Sequence, residues 1–155
     1  MSLYQQLIDP NQAVAFFEQG LIKRFEPEEI RLAIQSLLAE PEHHKLAHAL
    51  GDASMALYPE SEDMLAINGL LATIREDWES VIEYLLQLLA AREERTDAFT
   101  YQVLIHALKQ RMEYEAALNL LTLGLQHYPD SNELKSELNS LHQLVNAMSE
   151  QQLSQ

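Results

Sequence analysis

No cysteine occurs in this chain, which excludes disulfide bonds, thiol nucleophiles and cysteine-ligated metals. Glycine (four) and proline (five) are too scarce in 155 residues for the many tight turns of a β-rich domain. Basic residues are few as well. Ten Lys and Arg against 24 Asp and Glu leave a formal charge of −14. With no basic stripe to neutralise phosphates, that balance argues against nucleic acid as a partner, and equally against anionic membrane surfaces. Long apolar runs are missing too. The stretch from Val81 to Ala91 is broken by Glu83 and Gln87, so no segment is expected to span a bilayer. The opening MSLYQQLIDP has neither the basic flank nor the apolar run of a secretory signal, and a soluble, cytoplasmic protein is expected.

What the chain has is helix-forming material. Leu, Ala, Glu and Gln dominate long stretches, and a hydrophobic fraction of 47% is enough for a continuous core in a single domain. Apolar spacing predicts a first helix opening at Asp9-Pro10 and running through Ala13, Phe16, Phe17, Leu21 and Ile22 to about Phe25. Pro27 opens the next helix, Pro41 separates it from another carrying Leu46, Ala49, Leu50, Ala53, Met55 and Leu57, and Ser61 caps a helix carrying Met64, Leu65, Ile67, Leu71 and Ile74. Further helices are predicted from Trp78, from Thr96 or Asp97, after Arg111-Met112-Glu113, and from Ser131. The fold class predicted is all-α, about eight antiparallel helices joined by short loops.

The helices also repeat. Ala15 to Pro27, Ala47 to Pro59 and Ala117 to Pro129 are each separated by twelve residues. A small residue lets two helices approach closely, and a proline cannot continue the second of them. In the segment from Ala98 to Pro129, Tyr101, Leu104, Leu108, Ala117, Leu121 and Pro129 fall at the large, small and closing positions of a 34-residue helix-turn-helix unit. This segment resembles a tetratricopeptide repeat, with Ile105 and Gly124 standing where the family usually has glycine and alanine.

The resemblance extends in weaker form. Segment 62–97 keeps Gly69, Trp78, Val81, Leu85 and Leu88 but lacks the closing proline, and segment 28–61 keeps Ala47, Gly51, Ser54 and Pro59. Residues 10–27 read as a degenerate half repeat, 98–131 as the strong repeat and 132–149 as a capping helix. The resemblance implies a helical solenoid whose concave face is formed by the first helix of each pair. In this chain that face would carry Asp63, Ala66, Leu70, Thr73, Phe99, Gln102, Val103, His106, Lys109 and Gln110. Some members of the family clamp chaperone C-termini with several cations; here Lys109 alone is available, and that activity is not expected.

Catalytic chemistry has little to stand on. There is no GxSxG, phosphate loop or glycine-rich nucleotide fingerprint. His43, His44 and His48, with Glu42 and Asp52 near them, form the one metal-like group, but a third well-placed ligand and an HExxH pattern are both missing. They are expected to be solvated side chains, and no metal or other cofactor is expected. Trp78 is expected to anchor packing, as it aligns with Tyr114. Leu134, Leu138, Leu141 and Val145 follow near-heptad spacing, over too few heptads for a free-standing coiled coil.

The expected function is therefore non-catalytic. The resemblance implies an adaptor or scaffold that holds a peptide or helix of a partner, and the acidic charge favours a basic or amphipathic one. A small acidic chaperone of a bacterial secretion or appendage system is one special case. The alternative class is a metal protein or enzyme using the histidine group or the acidic surface. The chain is expected to be a monomer or weak homodimer, with association through the end helices as a third possibility.

Overall fold

In the computed structural model, which describes residues 2–153, all regular structure is helical, with nine α-helices and no strand among the described residues. They are α1 (Leu3–Ile8), α2 (Pro10–Glu18), α3 (Pro27–Leu38), α4 (His44–Leu57), α5 (Glu62–Ile74), α6 (Trp78–Arg92), α7 (Ala98–Gln110), α8 (Tyr114–His127) and α9 (Asn132–Leu153). The chain is all-α. Its contacts divide it into two compact units, one ending at Arg75 and one beginning at Glu76. The division falls inside segment 62–97, placing α5 in the first unit and α6 in the second.

Two differences from the sequence reading lie near the N-terminus. The helix expected to reach Phe25 stops at Glu18, and Gly20 then takes a left-handed conformation (φ 64°) that leads into a 3-10 turn, Leu21–Arg24. Only glycine adopts that conformation without steric cost, so Gly20 ends α2. Ahead of it lies the additional helix α1. Its Ser2 hydroxyl accepts from the Gln5 amide while the Gln5 side chain accepts from the Ser2 amide, a reciprocal cap for a six-residue element.

In the first unit α3 packs on α1, α4 and α5, and Leu7, Phe16, Ile30, Ile34, Leu37, Leu50 and Leu71 are buried in a shared core. The α4–α5 crossing is close. A Cβ on Gly51 would lie 2.4 Å from Leu71 Cδ1 and 2.8 Å from Asn68 Oδ1. In the second unit α7 packs on α6 and α8, and α8 on α9. Ala117 is fully buried there, with Leu104, Leu121, Leu134 and Leu141. Ala47 is buried in the same way, whereas Ala15, the third member of the spacing series, is partly exposed.

Both units close a helix pair with the same device. Tyr58 follows α4 and donates its hydroxyl to the Phe25 carbonyl at 3.0 Å; Tyr128 follows α8 and donates to the Thr96 carbonyl at 2.6 Å. Phe25 and Thr96 each immediately precede the capping residue of the first helix in the pair, Glu26 for α3 and Asp97 for α7. In both cases the residue three after the tyrosine, Ser61 or Ser131, caps the next helix through its hydroxyl. A part-buried hydrogen bond of this kind contributes about 1 kcal/mol and ties the end of the second helix to the start of the first.

Candidate functional site

Asp97 starts α7 by accepting the Thr100 amide at 2.7 Å, and the register that follows sorts the helix into two faces. Tyr101, Leu104, Ile105 and Leu108 turn inward and are buried. The other face carries Phe99, Val103, His106 and Gln110, spaced at 4, 3 and 4 residues so that they form one stripe. Phe99 is 63% exposed, and Val103 is half-buried beside it. The His106 ring meets Trp78 edge-on, with centroids 5.1 Å apart and planes at 79°. Trp78 is half-buried, so the residue expected as a packing anchor also contributes an aromatic edge next to the stripe.

On the other side of the stripe, Gln102 and His106 share a small cleft of about 220 Å³ with Glu133, Leu134 and Glu137 of α9. Lys109 is ion-paired with Glu137, and both side chains are partly buried. The cation that resemblance placed in the groove is thus matched by a carboxylate of the same unit. The cleft floor is apolar Leu134 and its rim is acidic. The role of Glu133 and Glu137 in that rim was not legible in the sequence, because it depends on α9 lying against α7.

The remaining groove residues named from the sequence lie in the first unit. Asp63 accepts from Arg31 Nε at 2.8 Å, and Thr73 donates its hydroxyl to the Gly69 carbonyl at 2.8 Å. Ala66 is half-buried, and Leu70 is 38% exposed with Ile74 one turn further on. Two of these four residues, Asp63 and Thr73, are therefore already engaged in local structure.

The three histidines do not converge. His43 belongs to the 3-10 turn Pro41–His43, where its Nε2 lies 3.3 Å from Glu40 Oε2 and its ring meets Tyr4 edge-on. His44 donates from Nε2 to the Leu38 carbonyl at 3.0 Å. His48 presents Nδ1 to Arg75 Nη1 at 2.9 Å. Arginine only donates, so His48 accepts there in its neutral form. Burial pushes the His48 pKa below its ordinary 6.5, and the Arg75 guanidinium lowers it further, against a smaller opposing pull from Asp52. The group whose ligand atoms do approach one another is Glu40, Glu42 and His43, within 4.8 Å. Both carboxylates are exposed, and His43 is half-buried against Tyr4.

Among the described residues, no helix is long and apolar enough to cross a membrane. No protein-family model matches the chain, and no curated protein sequence matches it.

Proposed function

We propose that the chain is a non-catalytic protein-interaction module of tetratricopeptide-like helix pairs, an adaptor or scaffold whose α7 face receives a segment of a partner protein. Phe99 carries this reading. A helix that buries four large side chains on one face keeps a phenylalanine mostly in solvent on the other, in line with Val103 and beside the Trp78–His106 pair. Aromatic side chains held on a rigid helix lose little entropy on binding and dominate interface energetics when a partner desolvates them. The matching helix pairs closed by Tyr58 and Tyr128 support the repeat reading.

The partner's chemistry follows from the surroundings. Phe99 and Val103 on one face of α7, with Glu133 at the nearby cleft and a chain charge of −14, suit an amphipathic helix or peptide with apolar anchors flanked by Lys or Arg. A chaperone that shields such a segment in a client is one form of this activity.

Capture from native lysate with the full chain as bait, then titration calorimetry against the recovered partner, tests the proposal. Phe99→Ala with Val103→Ser should weaken binding by about 2 kcal/mol or more, roughly thirtyfold, as expected for a desolvated aromatic anchor. The unfolding midpoint should move little, because Phe99 is mostly exposed. Unchanged affinity in the double variant would overturn the α7 site.

A further inference from the structure

Helix α9 has 22 residues and packs on α8, which has 14. Eight more residues at about 1.5 Å each leave roughly 12 Å of α9 with no counterpart in α8. Its apolar stripe does not stop where that support ends. Leu134 and Leu141 are fully buried, and the same face continues through Leu144, Val145 and Met148, at the i+3, i+4 and i+7 positions from Leu141. Exposure rises along it: Val145 is half-buried, Leu144 is 37% exposed and Met148 41%.

The charge pattern indicates what covers this face. From Leu138 to Leu153 the one charged residue is Glu150, whereas charged residues make up 22% of the whole chain. The flanks of the stripe are Asn, Gln, Ser and a histidine. Two molecules that each carry −14 repel one another over most of their surfaces, and a stretch with one charge in sixteen residues adds little to that repulsion. A basic partner would find almost nothing to pair with here, while a second copy meets a self-complementary neutral seam.

We propose that the C-terminal part of α9 is a homotypic interface, where two copies of the chain pair their Leu144–Val145–Met148 stripes about a two-fold axis. Such a seam is too short to hold two isolated helices together. Here the helix is already formed, because Leu134 and Leu141 anchor its first half in the unit. Only side chains, and not backbone, are ordered on association. The contact is small against the area that stable complexes bury, so the dimer is weak, with a dissociation constant on the order of 10–100 μM. It is independent of the α7 site.

Sedimentation equilibrium of the full chain from about 5 to about 500 μM reads this directly, since that range spans the expected constant. The weight-average mass should climb from 17.7 kDa towards twice that value. Raising NaCl should strengthen association by screening the repulsion between copies. Met148→Glu should weaken it about tenfold or more. Met112→Glu makes the same charge change at a residue 76% exposed in the α7–α8 turn, and should match the parent. A 17.7 kDa species at every concentration would overturn the proposal and leave the stripe to a different macromolecule. Equal losses in both variants, or association that weakens with salt, would overturn it as well, by placing the contact among charged surfaces.

Discussion

At the residue scale the most consequential pairing is His48 with Arg75. Protonating His48 would set an imidazolium 2.9 Å from a guanidinium, and the side chain is in addition partly withdrawn from water. A histidine whose folded pKa is lowered binds its proton more readily in the unfolded chain. Its contribution to stability is thus intact above the unfolded value of about 6.5 and is lost as pH falls from there through the folded value. Urea midpoints of the parent chain should decline between about pH 7 and about pH 5.5, before the carboxylates titrate, and His48→Gln should flatten that decline. Equal slopes for the two proteins would show that the Arg75 contact carries no proton linkage. Nothing in the sequence announced this pairing. His43, His44 and His48 read there as one group by proximity along the chain. Their partners (Glu40, the Leu38 carbonyl and Arg75) depend on where the 3-10 turn ends and on how α5 terminates against α4.

At the scale of elements, the turn between α7 and α8 stores strain that a single change should release. The Glu113 amide donates to the Leu108 carbonyl at 2.9 Å and the Met112 amide to the Lys109 carbonyl at 3.0 Å. These are the two bonds of a Schellman motif, which places a left-handed residue just past the helix end. Met112 takes that position with φ 59°, a conformation that costs a side chain roughly 1 kcal/mol and glycine almost nothing. Met112→Gly should therefore raise stability by about 0.5–1 kcal/mol, since the exposed methionine gives up little packing. A lowered unfolding midpoint would mean that the side chain holds contacts worth more than the strain. Helices α7 and α9 were legible because apolar period and capping residues agreed, at Asp97 and at Ser131. Helix α1 was not, although Leu3, Leu7 and the Ser2–Gln5 cap were all present, because six residues give too short a window for periodicity. The break at Gly20 escaped for the opposite reason. Leu21 and Ile22 keep the apolar spacing going through a 3-10 turn, so the pattern alone does not register the left-handed residue. The recurrence of Tyr-Pro-x-Ser at 58–61 and 128–131 was readable too, but its meaning lies in two carbonyls more than thirty residues upstream.

For the whole molecule the governing quantity is charge. The candidate site itself was half legible: repeat register supplied the stripe from Phe99 to Gln110, while the matching of Lys109 by Glu137 and of Asp63 by Arg31 depends on how helices distant in sequence pack together. Those ion pairs are partly exposed, worth about 0–1 kcal/mol each, and weakened by salt. Against them stand 24 acids and only ten bases, with ten of the acids and three arginines between Glu60 and Asp97, a net of −7 in that stretch. Two like charges about 10 Å apart repel by roughly 0.4 kcal/mol in water, and a net charge of −14 destabilises the compact state through such self-repulsion. Several such terms outweigh the few favourable pairs, and all of them are screened once the Debye length falls well below about 10 Å. The thermal midpoint should accordingly rise by several degrees between about 10 mM and about 500 mM NaCl, since about 1 kcal/mol shifts a chain of this size by roughly 2–4 °C. The shift should be specific to charge, so an uncharged osmolyte at matched osmolality should not reproduce its steep low-salt portion. A midpoint that falls with added NaCl would show that the ion pairs dominate and that the acidic excess lies too far apart to matter. The same excess would then give no reason for copies of the chain to avoid one another outside α9.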